Sequence, residues 1–148
     1  MTVPNGPGAS SPPPVGYSGT PLATKLGVKD GHVVLLDRLP DEVDLGLPPG
    51  AAVVRRLRAD LDVSVTFHRR AAALADRLPQ LFERTVTDGM VWVAWPKKAA
   101  AARFGIDTDL TDDVVRGIGL GLGWVDVKVC AISEVWSGQK FVRRLRDR

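Results

Sequence analysis

Cysteine is nearly missing from this sequence. Cys130 is the only one among 148 residues, so no intramolecular disulfide can form, and a reducing compartment is the expectation. Histidine is almost as scarce: His32 and His68 are the only two. With a single thiol they offer none of the spacings of a zinc site, so no metal is assigned. Long apolar runs are absent as well. The richest stretch, GIGLGLGWV at 117–125, falls well short of the roughly 18 residues a membrane span needs. The opening MTVPNGPGASSPPPVG lacks the basic start and apolar stretch of a secretory signal. A cytoplasmic protein with no membrane partner is expected. Neither a G-x-S-x-G elbow nor a Walker loop occurs.

What is present suits a soluble globular chain. The hydrophobic share of 45% and charged share of 25% are ordinary, and the length fits one domain with a core of its own. Residues 1–16 hold Pro, Gly and Ser with almost nothing bulky to bury, which predicts a disordered tail, leaving 17–148 as a single α/β domain. Net charge is +3 with a pI near 9.4. The last ten residues, QKFVRRLRDR, carry five positive charges and one negative. An edge strand kept soluble by arginine is the favoured reading of that run. A basic surface for a protein or nucleic-acid partner is the less favoured one.

Thr20-Pro21 predicts an N-cap and first helical residue for PLATKL, which Gly27 stops. HVVLL (32–36), AAVVRRL (51–57), LDVSVTF (61–67) and MVWVAW (90–95) read as strands, the second near an edge. One helical turn is expected in DEVDL. Leu74, Leu78, Leu81 and Phe82 recur on one helical face, with Pro79 predicting a kink or break. Thr111 reads as an N-cap, with Asp112 and Asp113 at the positive end of the helix dipole. In WVDVKVCAI (124–132), Trp124, Asp126, Lys128 and Cys130 alternate with Val125, Val127, Val129 and Ala131, predicting two distinct faces. A turn at EVWSG and a last strand QKFVRRL follow.

Strands alternating with helices and closed by two consecutive strands predict a three-layer, Rossmann-like α/β fold. Its sheet would be mostly parallel and end in an antiparallel hairpin. The order resembles a shortened class I methyltransferase sheet, a likeness of fold that does not fix function. Ligands in open α/β sheets bind outside the carboxyl ends of the strands. That rule selects Asp37 after the first strand, His68 and Arg69 after the third, and Trp95, Lys97 and Lys98 after the fourth. Trp136, in the EVWSG turn, is a further ring that could stack on a ligand. Together they suit a small anion such as a phosphate or carboxylate.

A nucleotide cofactor bound in the usual manner needs a glycine-rich turn right after the first strand. Here DRLPDEV follows, with no glycine before Gly46. The glycines at 117–123 lie at a helix end and precede a strand, the wrong order for a phosphate cradle. They predict close helix packing and a C-cap at Gly123. No cofactor is assigned.

YSGTPLATKLGVKDG (17–31), GMVWVAWPKK (89–98), TDLTDDVVR (108–116) and GWVDVKVCAISEVWSGQKFVRR (123–144) together resemble the domain of unknown function 3052 family of small bacterial proteins. The resemblance implies a Rossmann-like fold and transfers no catalytic residue. Two departures stand out: AAAARFGID lengthens the link after Lys98 where a serine is expected, and Ser133 replaces an acid. The leading expectation is a regulatory or accessory domain binding a small anionic ligand, with catalysis left open. An atypical S-adenosylmethionine-dependent methyltransferase is the alternative. The closing hairpin fits either a monomer or a homodimer.

Overall fold

The computed structural model describes residues 20–148. The expected tail over 1–16 and the start of order near Tyr17 lie outside the described residues. In chain order the elements are α1 (Leu22–Leu26), β1 (Val33–Asp37), β2 (Ala52–Val54), β3 (Leu61–Phe67) and α2 (Ala71–Glu83). They continue with β4 (Thr85–Pro96), α3 (Lys98–Phe104), α4 (Asp112–Gly121), β5 (Trp124–Ala131), β6 (Trp136–Arg143) and a 3-10 turn at Leu145–Asp147. The six strands form one sheet in the order β2-β1-β3-β4-β6-β5. The first four strands are parallel to their neighbours, and β6 lies antiparallel between β4 and β5. This is the expected mixed α/β fold with its closing hairpin.

Strand alternation sends apolar residues to both faces of the sheet. Val34, Leu36, Val63, Val65, Phe67 and Trp92 pack on one face against Leu26 of α1 and against Val43 and Leu45 of the loop after β1. Leu35, Val91, Val93, Trp95 and Phe141 pack on the other against Leu74, Leu78, Leu81 and Phe82 of α2 and Val115 of α4. One face therefore carries two full helices, and the other a five-residue helix and a long loop. From β1 the chain steps out to β2, then returns past β1 to β3. The direction of winding reverses between β1 and β3, and their carboxyl ends open a crevice at that point.

Several local expectations are corrected. Pro21, not Thr20, is the N-cap of α1, and no side chain caps it. DEVDL forms a turn closed by Val43 N–H on the Pro40 carbonyl, with no helix. α2 runs unbroken through Pro79. Pro79 is exposed, while the leucines on both sides of it are anchored in the core. α3 was not anticipated, although an alanine run ending at Gly105, whose φ is 65°, is a strong helix signal. In β5 the register shifts between Asp126 and Lys128. This bulge moves Lys128 and Cys130 to the face opposite Trp124, undoing the predicted alternation.

Trp136 begins β6 instead of sitting in the turn. The turn is held by Ser133, whose Oγ accepts from the N–H groups of Val135 and Trp136 at 3.2 and 3.1 Å. β6 is internal, so the carboxy-terminal arginines do not blunt an edge; β5 is the edge. Arg143 donates to the carbonyls of Thr85 and Val86 at 2.7 and 2.5 Å, and Arg144 to that of Gly123 at 3.1 Å. Thr111 does cap α4, accepting from Val114 N–H at 3.3 Å. Among the described residues, no helix is long and apolar enough to cross a membrane.

Candidate ligand-binding site

The crevice at the winding reversal contains a cavity of about 560 Å³, lined among others by Arg38, Glu42, Phe67, His68, Arg69 and Trp136. Behind His68, one of its lining residues, runs a buried polar chain. Asp37 and Thr66 are register partners on β1 and β3, so their side chains rise side by side. The Thr66 hydroxyl donates to Asp37 Oδ2 at 2.7 Å and lies 2.6 Å from His68 Nε2. From α2, Arg77 grips the same carboxylate through Nε at 3.0 Å and a terminal nitrogen at 2.8 Å. Burial alone would raise the Asp37 carboxyl, but the hydrogen bonds from Arg77 and Thr66, with the charges of Arg77 and Arg38, hold it below its usual value. His68 is pushed down to about 4, chiefly by burial and then by the Arg38 charge. It is therefore neutral near pH 7.

Two further features face this cavity. Arg38, directly after β1, has φ 59°, a left-handed conformation that suits glycine and costs a bulkier residue about 1 kcal/mol. The turn thus keeps the tight shape of a glycine turn while carrying a guanidinium. Trp136 is 7% exposed and packs edge-on against Phe67 with ring centroids 5.2 Å apart. Its indole N–H is buried without a hydrogen-bond partner. An unpaired buried donor costs about 1–3 kcal/mol.

The remaining predicted residues gather elsewhere. Trp95, Lys97 and Lys98 line a second cavity of about 650 Å³, together with Leu110, Asp112 and Asp113. Trp95 and Trp136 belong to opposite sheet faces, and Ile106 lines both cavities. Of the seven candidates, His68, Arg69 and Trp136 therefore share one cavity, Asp37 is linked to His68 through Thr66, and the other three share the second. Sequence reasoning left out Thr66 and Arg77. Thr66 was findable, since Thr66-x-His68 on a strand shares a face; Arg77 gave no signal, because only the docking of α2 brings it to Asp37. Arg70 also lines the first cavity but is paired with Asp107 and Asp109. Among the described residues Arg69 has no such partner. No cluster of His, Cys, Asp and Glu among the described residues could hold a metal ion.

Strand order and closing hairpin define the class of fold: a Rossmann-like, mostly parallel α/β sheet that ends in an antiparallel hairpin. No protein-family model matches the chain, and no curated protein matches it. Among solved structures it is similar to LepI in complex with S-adenosylmethionine, at TM-score 0.52 and 12% identity over 83% of this chain and 39% of that one. It is similar to a protein described as a pericyclic reaction enzyme, at TM-score 0.52 and 13% identity over 92% and 50%. It is also similar to magnesium protoporphyrin IX methyltransferase (ChlM) from Synechocystis PCC 6803 with bound S-adenosylhomocysteine, at TM-score 0.50 and 10% identity over 64% and 51%. The chain spans about half or less of these proteins, and at such identities the likeness shows the fold alone.

Proposed function

We propose that this domain binds a small anionic ligand, a phosphate- or carboxylate-bearing metabolite, in the cavity between the ends of β1 and β3. In this reading it acts as an accessory or regulatory protein. One observation carries the reading: Arg38, Arg69 and Trp136 line a single cavity. Arg69 has no carboxylate partner among the described residues, and Arg38 reaches only a loose 3.9 Å contact with Asp37, so both guanidiniums suit an anion.

Calorimetry of the full chain against inorganic phosphate and a panel of phosphorylated and carboxylated metabolites tests this. Arg69→Ala should weaken the best binder about tenfold or more, because charge-assisted hydrogen bonds are the strong ones. Lys97→Ala combined with Lys98→Ala should leave that binder in place. Loss of binding in the double lysine variant, with none in Arg69→Ala, would move the site to the second cavity.

A second reading, an S-adenosylmethionine-dependent transferase, is supported by the fold likeness. Two features weigh against it. Arg38 occupies the turn where a glycine would admit the cofactor, and Arg55 and Arg56 follow β2, about where an acid would hold ribose hydroxyls. Binding of S-adenosylmethionine or S-adenosylhomocysteine by the wild-type chain would reinstate that reading.

A further inference from the structure

The buried chain behind His68 fixes the protonation of one ring nitrogen in the cavity wall. The Asp37 carboxylate, ionised, can only accept hydrogen bonds. The single Thr66 hydroxyl proton is given to it at 2.7 Å, so the 2.6 Å contact between Thr66 Oγ1 and His68 Nε2 requires Nε2 to be the donor. Asp37 cannot rotate out of this role, because Arg77 holds both of its oxygens. A neutral imidazole protonated at Nε2 carries its lone pair on Nδ1. Among the described residues Nδ1 has no hydrogen-bond partner, and His68 forms part of the cavity wall.

We infer that the ligand must present a hydrogen-bond donor, a hydroxyl or an amine, to His68 Nδ1 beside the anionic group it offers to Arg69. The site would thus take hydroxy- or amino-substituted acids and their phosphorylated counterparts, and discriminate against plain carboxylates. This deepens the anion-binding reading and rests on it. His68 is the specificity residue, and Thr66 and Asp37 position it by holding its tautomer. The depressed basicity of His68 keeps Nδ1 an acceptor at neutral pH. Glu42, also on the wall, adds a second acceptor and no donor. A ligand without the donor leaves Nδ1 desolvated and unpaired, and sites built to pair a hydroxyl reject its analogue for that reason.

The test is an NMR titration of the 15N-labelled full chain with inorganic phosphate, glycerate and propionate. The last two share a three-carbon acid skeleton and differ in their hydroxyls. The Trp136 indole N–H reports occupancy of the cavity, and the His68 ring nitrogens report the tautomer directly. Glycerate should bind about tenfold tighter than propionate, the worth of one good hydrogen bond to an otherwise unpaired group. Phosphate should also shift the indole signal, and in the free protein Nδ1 should be unprotonated. His68→Phe should erase the glycerate preference. Thr66→Val should reduce it while Thr66→Ser restores it, the pattern expected of a positioning residue. Equal affinities in the wild type, or a free protein with its proton on Nδ1, would overturn the inference while leaving an anion site standing. If none of the three anions shifts the Trp136 signal, the anion reading falls, and this inference with it.

Discussion

At the scale of single residues, the pairing of Asp37 with Arg77 is the most exacting arrangement in the molecule. The Asp37 side chain is 6% exposed and that of Arg77 20%, so the two charges are largely withdrawn from water. Such a pair contributes modest net stability when intact, but removing one partner strands the other. Arg77→Met keeps most of the aliphatic stem and leaves the carboxylate with only Thr66 and the distant Arg38 guanidinium, 3.9 Å away. A loss of about 3 kcal/mol is expected, read as a lower urea midpoint with an unchanged slope. A change under about half a kcal/mol would mean that water already satisfies Asp37 and that the buried chain is looser than its distances imply.

Among the elements, α4 shows how one sequence feature can hold two roles. Its glycines read alike in GIGLGLG, yet they meet different surroundings. A Cβ on Gly119 would overlap the Phe141 ring, whereas one on Gly117 would meet nothing within 4 Å. Gly119 therefore lets the helix lie close on β6, and Gly117 is only a weak point in a helix. Substitutions should have opposite signs. Gly117→Ala should stabilise by up to about 1 kcal/mol through helix propensity, while Gly119→Ala should destabilise by about 1–3 kcal/mol through overpacking. Thermal unfolding of the two variants side by side decides it, and equal shifts would contradict the close approach of α4 to β6. The bulge in β5 belongs to the same scale. It exposes Val127 and Val129 at 53% each, turning what sequence alternation would bury into the rim of the sheet.

Stability against pH is a property of the whole molecule. His68 falls from an ordinary 6.5 to about 4 in the folded chain, so protonation favours the unfolded state. Its contribution is complete above about pH 6.5 and is lost progressively as pH falls towards 4. A shift of that size corresponds to about 3 kcal/mol. Asp37, held below its ordinary 3.8, acts in the same direction at lower pH: its contribution is present above that value and is lost as pH falls through the folded one. Urea unfolding at pH 7, 5.5 and 4.5 should show a steady decline between the first and last, flattened in His68→Gln. A wild-type curve level over that window would mean that the imidazole is hydrated in the fold.

The sequence by itself determined the class of fold, because alternation of period two and helical spacing record which faces are buried, whatever their neighbours are. The order of the six strands, the closing hairpin and the Thr111 cap were all legible for that reason. So was the edge of the sheet at which the parallel strands end, since the ends of parallel strands must share one edge. The partition of that edge was not legible. Trp95 and Trp136 sit one residue out of register across β4 and β6, which sends their rings to opposite faces and divides the candidate residues between two cavities. The grip of Arg77 on Asp37 depends on where α2 docks, and the Arg38 guanidinium reaches the cavity through a backbone angle that its residue type disfavours. The reversal at β5 is one extra residue in a strand. Local spacing carries no information on any of these, because each is set by contacts between segments far apart in the chain, and only the packed sheet decided them.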